Sequence, residues 1–425
     1  MPGATPFPLA TDLPGTSAGD QGKVAYVQGG DIWVRALPGG EPQRLTDDGR
    51  NDTPRWSPSR AWLTFHKGDE TWLMRADGAH SRPVPGSSFQ YAVWSPAADR
   101  LAYVADRPTI RIIEADALAD TGLPGEGRLL MEAIDGEELH TAVQGLAWSP
   151  DGRRLAYALQ SGPPDALPDR VSIGYVDLES GPSELYAPPG RPQDGLILAG
   201  WTPDGRAVLF WRDLMFSASA MADGLPLLRV PLEGGDPVAV VNFTLLHADF
   251  WSCSPAGRHI ALTVGGGRET WTNKRIALFD LATGGWEYLT DGDESAFSPV
   301  FSPNGLHIAY ASAPDVGNVG GGDAARAGVA ERRIWIMNLD GSDRRSLTSD
   351  PAYRDERPVW SADGDHILFA RMDEDGRASL WYVDVAGGPP ERVVDELTPA
   401  PDWFGYYGYV DWSRWFDWWT GSGGD

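Results

Sequence analysis

The sequence predicts an all-β fold, an eight-bladed β-propeller of four-stranded blades, on three observations. Residues 146–159, reading LAWSPDGRRLAYAL, recur in altered form along the chain. Aligned on Trp148, further copies are anchored at Trp56, Trp94, Trp201, Cys253, Phe301, Trp360 and Trp412, with successive spacings of 38, 54, 53, 52, 48, 59 and 52 residues. Finally, the first repeat lacks its first strand and the last repeat lacks everything after it. A strand-rich period of roughly 40 to 50 residues is the mark of stacked small sheets, since one such sheet cannot bury its own face.

Each repeat reads as four strands. The first carries the anchor and ends in a tight turn such as Ser149-Pro150-Asp151-Gly152. Proline presets φ at the second turn position, and Asp and Gly tolerate the conformations a reversal needs. The second strand resembles Leu101-Ala102-Tyr103 or Ile308-Ala309-Tyr310, the third Ile334-Trp335-Ile336, and the fourth is short. The chain enters this pattern at its second strand, near Val24, and Tyr409-Val410-Asp411-Trp412-Ser413 reads as the missing first strand. Pairing the two ends would close a ring and remove exposed sheet edges. Seven blades are the alternative, should the terminal repeat fail to pair.

The W-S-P-D-G-x-x-[IL]-A-[YF] signature resembles the PD40 or TolB-type propeller repeat, a relative of WD40, over residues 23–413. Its best copies start at Trp148, Trp201, Phe301 and Trp360, while those at Trp56, Trp94 and Trp412 are degenerate at Asp-Gly. The resemblance implies the fold. For function it implies only a range, because such propellers serve as partner-binding domains, as lids of prolyl-oligopeptidase-like hydrolases, and as lyases. TolB-type proteins carry an additional α/β domain and fewer blades, and this chain departs from both.

The domain reading is a disordered Pro/Gly-rich lead-in over 1–22, one propeller over 23–413, and an aromatic extension with a flexible tail over 414–425. Within the lead-in, Gly15-Thr16-Ser17-Ala18-Gly19 matches a G-x-S-x-G pattern but has neither the strand nor the helix that a nucleophile elbow requires. A net charge of −25 argues against nucleic acid, whose phosphates demand a basic footprint. The single cysteine, Cys253, stands in an anchor slot as a small apolar residue. The sequence has no apolar run of 18 residues and no export signal. The compartment is therefore left open: periplasmic or extracellular if a signal was removed, otherwise cytoplasmic.

Loop lengths divide the two faces. The one-to-two and three-to-four turns are tight, whereas the two-to-three and four-to-one connections are long, as at 160–170, 212–226, 265–274 and 313–333. Variable loops on a rigid scaffold are where binding sits. On that face, the residues four before each anchor are Asp52, Gln90, Gln144, Ile197, Asp249, Phe297, Glu356 and Gly408. The polar members are expected to ring the channel mouth and engage a basic or hydrogen-bonding ligand; their alternative role is to satisfy nearby backbone or water. His140 and His247 lie in four-to-one loops, and Met215 and Phe216 in a long loop that either offers an adaptable apolar contact or folds back onto the scaffold. Arg354 and Tyr407, next to ring positions, complete the candidate set together with Trp415 and Trp419.

These last two belong to a segment, 403–419, with ten aromatics in 17 residues. It reads as a terminal turn packed on the scaffold or plugging the channel, or as an interaction patch for protein, glycan or, as a lesser alternative, a membrane surface. His259, His307 and His366 repeat six residues after their anchors, where other copies carry Arg100 and Arg154, so they read as a fold-repeated surface position and not as metal ligands. No catalytic set, metal or cofactor is expected. The functional reading is a non-catalytic scaffold binding a protein or other ligand. Its rival is a lyase-like propeller enzyme or the propeller component of a prolyl-oligopeptidase-like hydrolase. Partner identity and oligomeric state are not encoded in the repeat.

Overall fold

In the computed structural model, the repeat stretch folds as a hairpin whose turn is held by Ser149, Asp151 and Gly152 of its motif. The structure describes residues 22–105, 109–116, 127–132, 140–163, 166–190, 194–213 and 216–419. The amide of Gly152 donates to the carbonyl of Ser149 at 2.8 Å, closing the turn. The Ser149 hydroxyl donates to Asp151 Oδ1 at 2.6 Å and accepts from the Arg154 amide at 2.9 Å. Gly152 sits at φ +66°, in the left-handed region that favours glycine. Thr202 with Asp204, Ser302 with Asn304 and Ser361 with Asp363 repeat this arrangement. The chain thus builds one turn many times from the same two side-chain roles and a glycine.

These hairpins extend into antiparallel sheets. One sheet contains His140–Trp148, Arg154–Gly162, Arg170–Asp177 and Gly181–Tyr186, and the next contains Gly195–Trp201, Ala207–Asp213, Leu225–Pro231 and Val238–Thr244. Then follow Trp251–Cys253 with His259–Val264, Arg275–Asp280 and Trp286–Tyr288; Glu294–Phe301 with His307–Pro314, Arg333–Asn338 and Arg345–Ser346; and Tyr353–Trp360 with His366–Asp373, Ala378–Asp384 and Glu391–Leu397. Near the start, Asn51–Trp56, Trp62–Lys67, Glu70–Arg75, Arg82–Trp94, Arg100–Ala105, Thr109–Glu114 and Arg128–Glu132 form one seven-stranded sheet. Two repeats merge there because the 13-residue strand Arg82–Trp94 is the outer strand of one and the inner strand of the next. That sharing accounts for the short 38-residue anchor spacing.

The last sheet joins the two ends of the chain. Lys23–Gln28 pairs with Asp31–Ala36 on one side and with Phe416–Trp419 on the other, in a register that sets Val24 opposite Trp418. This corrects the expected closing strand. Tyr409 and Val410 precede a 3-10 turn, Trp412–Arg414, and the pairing strand begins at Phe416. Elsewhere the anchor faces the first residue of the Leu-Ala-Tyr strand, as Trp148 faces Leu155 and Trp360 faces Ile367. By the same pairing the eighth anchor is Trp418. Phe416 and Trp418 point into the core while Asp417 and Trp419 are partly exposed, the period-2 pattern of a strand. Residues 416–419 are therefore part of the sheet and not an extension. The expected lead-in up to 21 and tail from 420 lie outside the described residues.

The core lies between sheets, as the repeat requires. Trp148, Leu155, Tyr157 and Val176 of one sheet pack on Ala102, Ile110 and Ile112 of the preceding one. Indole N–H groups stitch the same interfaces: Trp148 donates to the carbonyl of Val93, Trp201 to Ala147 and Trp360 to Val300, at 2.9 to 3.1 Å. First strands of neighbouring sheets also touch, including Phe416–Trp419 against Asn51–Trp56. Cys253 is half-buried among apolar neighbours, and burial pushes its thiol up to about 12. Two short helices lie in the long connections, Ala218–Asp223 and Asp323–Ala330. The second follows the glycine run at 320–322 and buries Ala325 and Val329 against Trp271. No helix among the described residues is long and apolar enough to cross a membrane.

Candidate functional site at the long-loop face

A repeated β-bulge builds the site. In most first strands the ladder slips just before the anchor: between Asp52 and Arg55, Val143 and Leu146, Phe297 and Val300, and Glu356 and Val359. Thr53, Ser298 and Arg357 take φ near +53 to +55° within these bulges. A bulge leaves one residue unpaired and re-aims its neighbours. Here it leaves unpaired the two residues that follow the position four before the anchor, 53–54, 298–299 and 357–358, while Asp52, Phe297 and Glu356 keep their partners His66, Ala311 and Ala370. Nothing in the residue types announced the bulge, because Thr, Ser and Arg are not positive-φ residues by habit.

The long four-to-one connection of the last repeat, 398–415, runs across these positions. It meets the three acids of the expected ring one by one. Tyr409 donates its hydroxyl to Asp249 Oδ1 at 2.7 Å, the Trp412 indole donates to Glu356 Oε2 at 2.7 Å, and Arg414 pairs with Asp52 Oδ2 at 2.7 Å. Asp249 also accepts from Ser298 Oγ at 2.8 Å. With Trp418 as anchor, the eighth ring position is Arg414 and not Gly408. The ring acids are thus bound by the chain itself.

Its centre is a buried charge cluster. The side chains of Arg332, Arg354 and Glu356 are 1%, 0% and 2% exposed. Arg354 donates through Nε and Nη2 to Glu356 Oε1 at 3.1 and 2.6 Å, and Arg332 Nη1 donates to the same oxygen. Both guanidiniums also donate to the carbonyl of Gly408, and Arg354 Nη1 donates to that of Trp403. Arg332 Nη2 reaches the carbonyl and hydroxyl of Thr270 at 2.9 and 2.7 Å. Burial works to raise the Glu356 carboxyl, but the charges of Arg354 and Arg332 and the Trp412 hydrogen bond outweigh it and hold it below its usual range. Burial pulls Arg332 down to about 10.

Aromatic rings surround this cluster. His247 stacks on Tyr409 with centroids 3.6 Å apart, and Phe250 meets Tyr409 edge-on at 5.5 Å. Burial holds the His247 imidazole below its usual value against the opposing pull of Asp249 and Asp411, so it is held neutral. Burial beside Asp249 also pushes the Tyr409 phenol upward. Trp271 stacks with Tyr407 and meets Phe404 at a tilt, while Arg326 lies over Trp403 and Phe404. Tyr407 accepts from the Thr270 amide and hydroxyl through its carbonyl, each at 3.0 Å, and its ring stays partly exposed.

The other candidates separate from this cluster. Gln144 is half-buried within its strand, and Phe216 folds back onto Gly195 instead of offering a free contact. Trp415 donates to the Pro399 carbonyl at 2.7 Å, and Trp419 donates to Pro58 at 3.0 Å with Arg60 over its ring at 3.4 Å. Those two rings lock the closing strand, so the expected interaction patch is reduced to Tyr406, Tyr407 and their neighbours. Met215 and the side chains of Gln90 and His140 lie outside the described residues. His259 approaches Asp280, His307 stacks on Trp360 and His366 on Tyr382, each against its own neighbours. Sequence reasoning missed Arg332, Thr270 and Trp271, which come from two-to-three connections. No repeat pattern marks such positions.

Sheets of this order, stitched anchor to strand, define an all-β chain with the make-up of a β-propeller. Comparison with known proteins agrees on type: a 71-residue stretch is 39% identical to the Tol-Pal system protein TolB of Rhizorhabdus wittichii, covering 16% of each protein. A longer stretch of 328 residues is 24% identical to dipeptidyl-peptidase 5 of Porphyromonas gingivalis, covering 74% of this chain and 43% of that one. Among solved structures, dipeptidyl peptidase 4 of Porphyromonas gingivalis superposes with a TM-score of 0.60 at 11% identity, over 89% of this chain and 60% of that one, which shows a shared fold. No family model matches. The chain spans well under two thirds of the length of these curated relatives.

Proposed function

We propose that the chain is an eight-bladed β-propeller, closed by Phe416–Trp419, that acts as a binding scaffold through its long-loop face. Counting the merged sheet as two blades supports eight, and the pairing of Lys23 with Trp419 through Tyr26 with Phe416 supports closure. The observation that carries the binding reading is the asymmetry of the faces. One face repeats a single hydrogen-bonded turn, while the other gathers aromatic and arginine side chains from several repeats around 403–409. Rigid sheets presenting variable loops suit recognition of a protein or ligand.

The test is capture from source-cell extract by three forms of the full chain. Tyr406 and Phe243, 55% and 51% exposed, lie on the long-loop side, and Leu306, 60% exposed, lies in a tight turn. Capture lost on Tyr406→Ser with Phe243→Ser, and kept on Leu306→Ser, supports the reading. Loss only with Leu306→Ser contradicts it. A second reading, the propeller part of a peptidase-like hydrolase, is favoured by the 74% of this chain that aligns with dipeptidyl-peptidase 5. Under it, the captured partner would be a hydrolase, and capture would change that partner's cleavage of peptides.

A further inference from the structure

The charge cluster at the channel mouth is out of balance. Arg332 and Arg354 are both fully buried, yet one carboxylate, Glu356, serves the two of them through a single oxygen. The neighbouring Arg371 does not share it, since it is paired bidentately with Asp355 at 2.6 and 2.9 Å. What completes the two guanidiniums is neutral: the carbonyls of Trp403, Gly408 and Thr270 and the Thr270 hydroxyl. A guanidinium's planar fork matches the two oxygens of a carboxylate, and hydrogen bonds between two ionised groups are markedly stronger than those to a neutral acceptor. On Arg354 the two terminal nitrogens already donate to two oxygens of one segment, those of Trp403 and Gly408, in that fork pattern.

We propose that this mouth is a carboxylate-binding site, formed by Arg332 and Arg354, which the chain's own 403–409 segment fills as a stand-in ligand. The inference rests on the long-loop-face reading and specifies its ligand. Three further observations support it. The buried indole N–H of Trp271, on the wall of the site, has no hydrogen-bond partner, so a donor remains for an incoming oxygen. The Tyr409 ring lies among Leu245, Phe250, Phe297 and Ala311, a pocket that an aromatic side chain of a ligand would refill. Gly408 approaches so closely that a Cβ there would stand 2.6 Å from Thr270 Oγ1 and 3.1 Å from Arg332 Nη2, at φ +84°. The segment is thus shaped to its seat, with Tyr406 and Tyr407 exposed on its outer side. The ligand implied is a peptide with an aromatic side chain near a carboxylate, supplied by a chain terminus or by Asp or Glu.

Gly408→Ala gives the test, because it crowds the segment out while leaving both arginines and the closing strand unchanged. The probes are fluorescein-labelled Gly-Phe-Gly-Tyr with a free carboxylate, the same peptide as its amide, and an amidated form ending in Asp. An occupied site weakens apparent affinity by the fraction of chains in which it is free. The Gly408→Ala chain is therefore expected to bind the free carboxylate about tenfold or more tightly than the unaltered chain does. The amide should gain nothing, and Gly408→Ala with Arg354→Met should lose the gain. Binding of the Asp form alone, or of the free terminus alone, names the source of the carboxylate, and either result supports the site. Equal binding of acid and amide overturns it, as does no binding once hydrogen exchange shows 403–409 released.

If Gly408→Ala does not unseat the segment, an eight-residue Gly-Ser replacement of 402–409 is read in the same way. If neither variant folds, the unaltered chain decides. The free-carboxylate peptide at millimolar concentration should speed exchange at the 406–409 amides and the amide peptide should not; no difference overturns the site. Partner capture through the long-loop face that is indifferent to Gly408→Ala and to free carboxylate would leave the scaffold reading standing and remove this one.

Discussion

The indole N–H of Trp201 donates to the main-chain carbonyl of Ala147 at 2.9 Å, tying the first strand of one sheet to the first strand of the sheet before it. Trp148 and Trp360 make the same bond one residue before the preceding anchor. Trp56 differs: its indole lacks a partner, and its main-chain amide donates to the side chain of Asp417, the residue before the Trp418 anchor, at Oδ2 and 2.8 Å. Trp201→Phe keeps most of the packing and removes the bond, and should cost about 1 to 3 kcal/mol. Trp201→Ala should cost about 3 to 5 kcal/mol. Urea unfolding midpoints of the two variants check both; no loss in Trp201→Phe would mean that the bond contributes nothing.

Stacked turns make the glycines unequal. A Cβ on Gly152 would meet Ala97 Cβ at 2.7 Å and Ser95 Oγ at 2.8 Å, whereas one on Gly205 would find its nearest neighbour, Pro150 Cδ, at 3.7 Å. Both residues share φ +66°. Gly205→Ala should therefore carry only the left-handed backbone cost of about 1 to 2 kcal/mol. Gly152→Ala should cost clearly more, and thermal melts of the pair measure the difference.

The register of the closing strand is open to direct challenge. Trp418→Ala should destabilise by about 3 to 5 kcal/mol and raise hydrogen exchange across Lys23–Gln28. Were Tyr409 to Ser413 the closing strand, the same substitution would leave the 23–28 amides protected.

Acid should loosen the mouth. Burial lowers the His247 pKa in the folded chain, so below the ordinary histidine value of about 6.5 the unfolded chain binds more protons than the folded one. Stability therefore falls as pH drops from 7 towards 5. His66 and His259, also lowered by burial, act in the same direction. His247→Gln should flatten the fall in melting temperature over that window; a slope unchanged by the substitution would assign the effect to the other two histidines.

How much of this was legible in the sequence divides along the repeat. The anchors, the Ser-Pro-Asp-Gly turns and the sharing of one sheet between the two ends are local, periodic features, and reading them needs only the alternation of residues and turn chemistry. The closing register was misread because Tyr409, Trp412, Trp415, Phe416 and Trp418 offer several aromatic frames, and only the pairing of Val24 with Trp418 chooses among them. Ring positions such as Asp249 and Glu356 were found by counting back from the anchors. Their partners were not, because Arg332, Thr270 and Gly408 come from irregular connections where no period operates. Gly408 was placed in the ring by the same six-residue slip that misplaced the anchor, and its true part is a close carbonyl contact that only its glycine geometry permits.

The most direct measurement for the proposed role is hydrogen-exchange footprinting of the full chain with and without its captured partner. Protection is expected at 265–274, together with altered exchange at 403–409, slowed where a partner covers the segment and sped where it displaces it, on the side where Thr270, Tyr407 and Gly408 meet. Protection confined to the tight turns at 149–152, 302–305 and 361–364 would place the partner on the opposite face and contradict the proposed role.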